Sequence, residues 1–241
     1  MTQLGTFYGI GVGPGDPELL TVKAVRVLQE VDVVFAAGHE RSGRSAALEI
    51  ARPHLRPGCP VVTLPFRHTF EDVRSRRVHR DHARRVAEKL RRAAAAAFLT
   101  LGDPMTYSTF TYLLEAVREL EPGVPVEVVP GITSFAAAAA EARTPLVEGD
   151  QTLAVVSAAR GTAAVERALE AADSLAILKP YRNTAGVCDL LEARGLGDRV
   201  VFASHCTRPE ALVARGVGEA RARANGYMSL FLVRPGEDRT P

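Results

Sequence analysis

Short apolar runs alternate with helix-period segments along the whole chain, and in the first half several of those runs end in glycine-rich turns. That rhythm constrains the fold more than anything else in the sequence. Thr6 to Val12, Asp32 to Ala36, Pro60 to Leu64, Ala95 to Leu101 and Val124 to Val129 read as strands. Pro17 to Glu30, Ser42 to Ala51, Glu71 to Ala94, Tyr107 to Leu120 and Ile132 to Ala142 read as helices between or after them. In the first helix Asp16 is placed as N-cap, and Leu20, Ala24, Val27 and Val31 line one face. A repeated strand–helix order predicts a mostly parallel sheet covered on both faces.

Thr144 to Asp150 interrupts the pattern with Pro, Gly and charge but no periodicity, which places a boundary between domains 1–145 and 146–241. A second set follows: strand Thr152 to Ser157, helix Thr162 to Ala171, strand Ser174 to Lys179, helix Thr184 to Arg194 and strand Arg199 to Ser204. Glu210 to Val217 and Tyr227 to Val233 read as strands with no long helix between them, which suggests an antiparallel pair. Arg234 to Pro241 reads as a frayed tail.

At 241 residues the chain can bury a real core, and its 46% apolar and 24% charged residues are ordinary for a globular protein. Thirty basic and 28 acidic residues leave +2, against a protein that coats a nucleic acid. Cys59, Cys188 and Cys206 are widely spaced with no CxxC pair, against a disulfide framework or zinc ribbon. No signal peptide is read at the N-terminus, and no stretch approaches 18 apolar residues. A reduced cytoplasmic setting, without membrane or nucleic-acid partners, is expected.

Three turns could carry chemistry. The first holds Gly9, Gly11, Gly13 and Gly15 with Pro14 and Asp16. It fits neither of two phosphate-binding patterns. Pro14 or Asp16 stands where a dinucleotide fold wants its third glycine, and no Gly-Lys-Ser/Thr follows. A loop that is glycine-rich yet acidic suits close backbone approach to a neutral or cationic ligand. The second runs Leu101, Gly102, Asp103, Pro104, Met105, Thr106, Tyr107, Ser108, Thr109. Pro104 keeps Asp103 out of the α region, and helix capping is the plainer alternative. The third, Pro130 to Phe135, is weak alone. All three lie at strand C-termini, where open α/β sheets bind ligands.

Together GxGPGDxxLLT (Gly11 to Thr21), LGDPxxYSTF (Leu101 to Phe110) and VVPGITSF (Val128 to Phe135) resemble the tetrapyrrole methylases, S-adenosylmethionine-dependent enzymes of corrin and sirohaem synthesis. Pro145 to Asp150, Leu178 to Asn183 and Tyr227 to Leu230 look most like the branch that methylates carbon 20 of precorrin-2 or cobalt-factor II, although Pro180 and Tyr181 depart from that pattern. The resemblance implies two α/β domains, the first with a mostly parallel and the second with a mixed sheet, and an active-site cleft between them. It implies S-adenosylmethionine as cofactor, no protein-bound metal, a tetrapyrrole substrate and a homodimer. It places Pro14, Leu101, Gly102, Asp103, Thr106, Thr133 and Ser134 at the cofactor, Tyr107 and Ser108 where cofactor meets substrate, and Lys179 at the cofactor from the second domain. For Lys179 a strand-end lysine reaching to water is the alternative. Alternatives for the whole chain are methylation at another macrocycle position and a non-catalytic ligand-binding member.

A substrate with eight carboxylates calls for basic groups. Arg67 to Arg92 holds ten basic and four acidic residues, net +6, leaving −4 elsewhere. Most of that helix reads as a solvated face, with Arg67 and His68 the better substrate candidates. His79 and His82 read as surface histidines, and His205 and Cys206 as ordinary loop packing.

Overall fold

The computed structural model describes residues 3–66, 75–92, 94–223 and 226–234. Arg67 and His68, and the tail beyond Arg234, lie outside the described residues. The chain divides into two compact units, 1–133 and 134–241.

The first unit carries a five-stranded, all-parallel sheet in the order β3-β2-β4-β1-β5. Its strands are β1 (Phe7–Gly11), β2 (Val33–His39), β3 (Val61–Phe66), β4 (Ala96–Thr100) and β5 (Val126–Val129). The two-residue period of each strand sorts side chains onto two faces. Phe7, Val33, Phe35 and Phe98 meet helices α3 (Arg76–Leu90) and α4 (Phe110–Leu120). Ile10, Val34, Ala36 and Leu99 meet α1 (Val22–Glu30) and α2 (Ala46–Ala51). Central strands are therefore apolar on both faces, as a sheet covered twice requires.

The apolar face expected for the first helix is present: Leu20, Ala24, Val27 and Val31 are all buried. Its start differs. Asp16 caps only a 3₁₀ turn, Pro17–Leu19, by accepting from the Glu18 N–H at 2.8 Å. Leu20 and Thr21 are extended, and α1 begins anew with the Thr21 hydroxyl accepting from the Ala24 N–H at 3.1 Å.

The basic helix is described as Arg76–Leu90, and the start of the expected helix, residues 71–74, lies outside the described residues. Its N-cap is Ser75, and Arg76, Arg77, Arg80, Arg84 and Arg85 are exposed, as a solvated face should be. His79 and His82 are not surface residues. They are buried, at 3% and 6% exposure, because they continue the inward stripe of Ala83, Val86 and Leu90. The Phe66 ring lies 4.7 Å from the His82 ring and 5.7 Å from the His79 ring, and Tyr112 stacks on His79 at 5.4 Å. Desolvation, helped by His79 and Arg85, lowers the His82 pKa to about 4.

The second unit holds a mixed sheet in the order β6-β7-β10-β8-β9. Its strands are β6 (Leu153–Ser157), β7 (Ser174–Leu178), β8 (Val200–Ser204), β9 (Leu212–Arg215) and β10 (Ser229–Val233). Only β6 and β7 run parallel. The last two strands do not pair with each other: β8 lies between them and is antiparallel to both, and a short helix, α8 (Val217–Arg223), separates them in sequence. Helices α6 (Ala163–Ala171), α7 (Thr184–Ala193) and α8 cover one face with Val165, Val187, Leu191 and Ala220. The alanine-rich α5 (Ser134–Ala142) packs against β8, β9 and β10, and the compact units part at 133/134. The three cysteines are free thiols. Burial and the neighbouring Glu141 carboxylate push Cys206 up to about 12.

Candidate cofactor and active site

Strands β5, β1 and β4 are neighbours, so their C-terminal loops are brought side by side at one edge of the first sheet. The loops are joined by backbone. Gly13 and Gly102 form an isolated antiparallel bridge, with Gly102 N–H donating to Gly13 O at 2.8 Å and Gly13 N–H to Gly102 O at 3.3 Å. Both take positive φ, +76° and +65°, which a residue without Cβ adopts freely. Gly11 and Gly131 meet at the same place. A Cβ on Gly131 would lie 2.2 Å from Gly102 O, and one on Gly11 would lie 2.5 Å from the same oxygen. Two glycines are thus required for three chains to touch.

Asp103 ties the arrangement together. Its Oδ2 accepts from the Gly131 N–H at 3.2 Å, while Oδ1 accepts from the Met105 N–H at 2.9 Å and the Thr106 hydroxyl at 3.3 Å. The carboxylate is a clasp between the second and third loops, which includes and exceeds the capping alternative. Thr106 is held within it. Tyr107 follows in the left-handed region at φ 49°, half exposed, beside the exposed Met105. Ser108 is buried. Its hydroxyl pairs with the Thr100 hydroxyl at 2.9 Å and accepts from the Phe110 N–H at 3.0 Å, so it anchors the loop to the end of β4 and starts α4. Phe110 in turn fills the space under Gly9, whose Cβ would lie 2.3 Å from that ring.

Pro14, Leu101, Thr133 and Ser134 are part-exposed in or beside these loops. Lys179 is elsewhere, at the end of β7 in the second unit, in the left-handed region at φ 56°. Burial lowers its pKa. Gly11 and Gly131 belong to the first and third of the expected loops, whereas Thr100 stands in none of the three motifs. The available signal for Thr100 was a hydroxyl closing an otherwise apolar strand.

The chemistry of the edge is specific in what it offers. Segments 9–17, 101–110 and 130–135 contain no Lys, Arg or His, and their formal charges are Asp16 and Asp103. Asp16 already takes the Glu18 N–H of the 3₁₀ turn, and Thr21 the Ala24 N–H of α1. A polyphosphate would find no cation there. A sulfonium cofactor with hydroxyls and a purine fits the carboxylates, hydroxyls and free backbone edges.

The sequence family of tetrapyrrole (corrin/porphyrin) methylases matches residues 6–220. The chain belongs to the tetrapyrrole methylases. The family's members are S-adenosylmethionine-dependent methyltransferases, and this chain is one of them. The methylase is 34% identical to the cobalt-precorrin-2 C(20)-methyltransferase of Salmonella typhimurium, over 95% of this chain and 96% of that one. It is also 34% identical to the precorrin-2 C(20)-methyltransferase of a Sinorhizobium species, over 98% of both chains. Among solved structures, a cobalt precorrin-4 methyltransferase superposes with a TM-score of 0.73 at 25% identity, covering 95% of this chain and 94% of that one. A uroporphyrin-III C-methyltransferase from Thermus thermophilus, solved with S-adenosylhomocysteine, superposes with a TM-score of 0.67 at 26% identity, covering 95% and 97%.

Proposed function

We propose that this methylase transfers a methyl group from S-adenosylmethionine to carbon 20 of precorrin-2 or cobalt-factor II in cobalamin biosynthesis. One observation carries the reading: relatives similar along nearly the whole chain are C(20)-methyltransferases, acting on the cobalt-bearing or the metal-free substrate. Methylation at another ring position has thinner support. A cobalt-precorrin-4 C(11)-methyltransferase from Priestia megaterium matches at 32% identity over 62% of this chain only.

The loops after β1, β4 and β5 hold the cofactor, and Lys179 is a further cofactor residue in the same reading. S-adenosylmethionine supplies an activated methyl group on a sulfonium leaving group, so the chain's task is alignment and exclusion of water. Asp103 fixes the loops and, with Asp16, gives the edge its negative charge. Thr106, Thr133 and Ser134 offer hydroxyls and backbone groups. Ser108, through Thr100, sets the position of Tyr107, which stands where donor and acceptor meet. The proton lost from carbon 20 passes to Tyr107, Asp103 or a substrate carboxylate. The same reading has the enzyme working as a cytoplasmic homodimer without nucleic acid. No helix among the described residues is long and apolar enough to cross a membrane.

Incubation with methyl-labelled S-adenosylmethionine and either tetrapyrrole, followed by NMR of the product, tests the reading. Label at carbon 20 is expected. Label at another ring carbon overturns the position. Absence of transfer to either tetrapyrrole, while S-adenosylhomocysteine still binds, overturns the reaction. Sedimentation equilibrium should return twice the 25.8 kDa chain mass.

A further inference from the structure

Strands β7 and β10 are antiparallel neighbours, with Leu178 opposite Leu230. The chain leaving β7 and the chain entering β10 therefore emerge at the same edge of the second sheet. Tyr181 comes from the first of these segments and Tyr227 from the second. Their ring centroids lie 5.4 Å apart at 61°, an edge-to-face pair. The Arg182 guanidinium carbon lies 5.6 Å from the Tyr181 centroid, within cation–π range.

Both supports of the pair are fixed. The 3₁₀ turn Pro180–Arg182 is closed by the Asn183 N–H and the Thr184 hydroxyl, which donate to Pro180 O at 2.6 and 3.2 Å. Before β10, the His205 N–H donates to Met228 O at 2.8 Å and the Ser229 hydroxyl to Gly226 O at 3.0 Å. The pair reaches the surface through Tyr227, while Tyr181 is half-buried. Tyr227 is 48% exposed, the one aromatic among the exposed large apolar side chains of the second unit's described residues, and Arg182 is exposed against Tyr181. A pre-positioned aromatic pair with one exposed ring, next to a guanidinium, suits a flat π-system that carries carboxylates: Tyr227 offers stacking and the guanidinium a charge-assisted bond. A purely apolar occupant would leave Arg182 unused. A phosphate ester would leave the rings unused.

We propose that Tyr181, Tyr227 and Arg182 form a platform that seats one carboxylate-bearing pyrrole ring of the tetrapyrrole. They act as positioning residues for substrate. The inference rests on the proposed function for the identity of the substrate and goes beyond it in naming this seat. The platform should set tetrapyrrole affinity and leave cofactor affinity alone.

The test compares Tyr227→Ala, Tyr227→Phe and Arg182→Gln with the parent enzyme in steady-state kinetics, with S-adenosylhomocysteine affinity by calorimetry as a control. Tyr227→Ala should raise the tetrapyrrole KM about tenfold, the size of one stacking contact. Its kcat at saturating tetrapyrrole and its S-adenosylhomocysteine Kd should stay within twofold. Tyr227→Phe, which keeps the ring, should match the parent. Arg182→Gln should raise the same KM and flatten its dependence on salt. An unchanged tetrapyrrole KM in both Tyr227→Ala and Arg182→Gln overturns the platform with the proposed function intact. So does a loss of S-adenosylhomocysteine binding in proportion to the loss of tetrapyrrole binding. If neither tetrapyrrole is methylated, binding of uroporphyrin III, an octacarboxylate followed by its own fluorescence, separates the two claims. Parent binding that is weakened tenfold in Tyr227→Ala supports the platform although the reaction fails. No parent binding overturns it.

Discussion

The two sheets meet their loops in opposite ways. At the edge of the first sheet, positive φ and close approach fall mainly on glycine: Gly13 and Gly102 are left-handed, and Gly11 and Gly131 touch backbone to backbone. At the edge of the second sheet, the left-handed positions just after β7 and β8 are Lys179, His205 and Thr207, each with a side chain. An L-residue in that region costs about 1 to 2 kcal/mol, and such strain gathers at functional sites. The first edge therefore presents main chain, in a fixed shape, to a ligand that must come close. The second accepts backbone strain to hold particular side chains at the strand ends. Tyr107 is the exception on the first edge, a left-handed non-glycine set between Thr106 and the anchored Ser108.

The comparison breaks most easily at Gly131. Gly131→Ala puts a methyl 2.2 Å from Gly102 O, a contact between main chains that no rotamer relieves. Overpacking of this kind should cost about 3 kcal/mol or more and separate the three loops. Calorimetry should find S-adenosylhomocysteine affinity reduced at least a hundredfold, with Tm lowered. Unchanged affinity would mean that the shared backbone junction is not what binds.

Acid should separate the two units next. His79 and His82, in the first unit, are the buried histidines among the described residues. Around His82 stand His79, Asp81 and Arg85 of its own helix and Phe66 from β3, with Tyr112 of α4 beyond His79. Its folded pKa, about 4, lies below the ordinary 6.5, so the folded state disfavours the proton. The stabilisation is fully present above pH 6.5 and is lost as pH falls toward 4, by up to about 3 kcal/mol. Hydrogen exchange at pH 4.5 should show α3 opening before β7 and β8. His82→Leu should remove most of that slope. Earlier opening of the second unit would refute the difference.

What was readable in the sequence follows the range of the interactions. The strand–helix alternation, the buried face of α1 and the three loops on adjacent strands are local patterns, and the structure contains them. The restart of α1 at Thr21 was hidden because Asp16 and Pro17 are themselves strong start signals, here satisfied by a single 3₁₀ turn. The burial of His79 and His82 was masked by arginines on both sides. The spacing that continues through Val86 and Leu90 was the signal that could have found it. The separation of β9 from β10 by β8 depends on non-local pairing, which no periodicity encodes. Nor does any local feature announce that Lys179 is left-handed, since Lys is not a residue that seeks that region.

Asp103 tests the clasp at a smaller scale. Asp103→Ala removes an acceptor of three hydrogen bonds, from the Gly131 and Met105 N–H groups and the Thr106 hydroxyl. Bonds to a charged group of this kind imply a loss of about 2 kcal/mol. Asp103→Asn, which keeps one acceptor oxygen, should lose about half of that. Chemical denaturation of both variants, read beside S-adenosylhomocysteine affinity, checks the order. Equal losses would mean that the two bonds to Oδ1, which an amide oxygen can keep, do not set the position of the loops.

The smallest effect is the most diagnostic for the second edge. Lys179→Gly should relieve the left-handed strain, at about 1 to 2 kcal/mol. It should also add unfolded-state entropy of about 0.4 to 1 kcal/mol, leaving stability unchanged or raised by up to about 1.6 kcal/mol. A residue held for packing alone would then leave binding untouched. If Lys179 is retained for the cofactor, Lys179→Gly should instead weaken S-adenosylhomocysteine about fivefold while Tm holds or rises, and Lys179→Ala should weaken it equally while lowering Tm. That opposite movement of affinity and stability is what distinguishes strain kept for a side chain from strain forced by the fold.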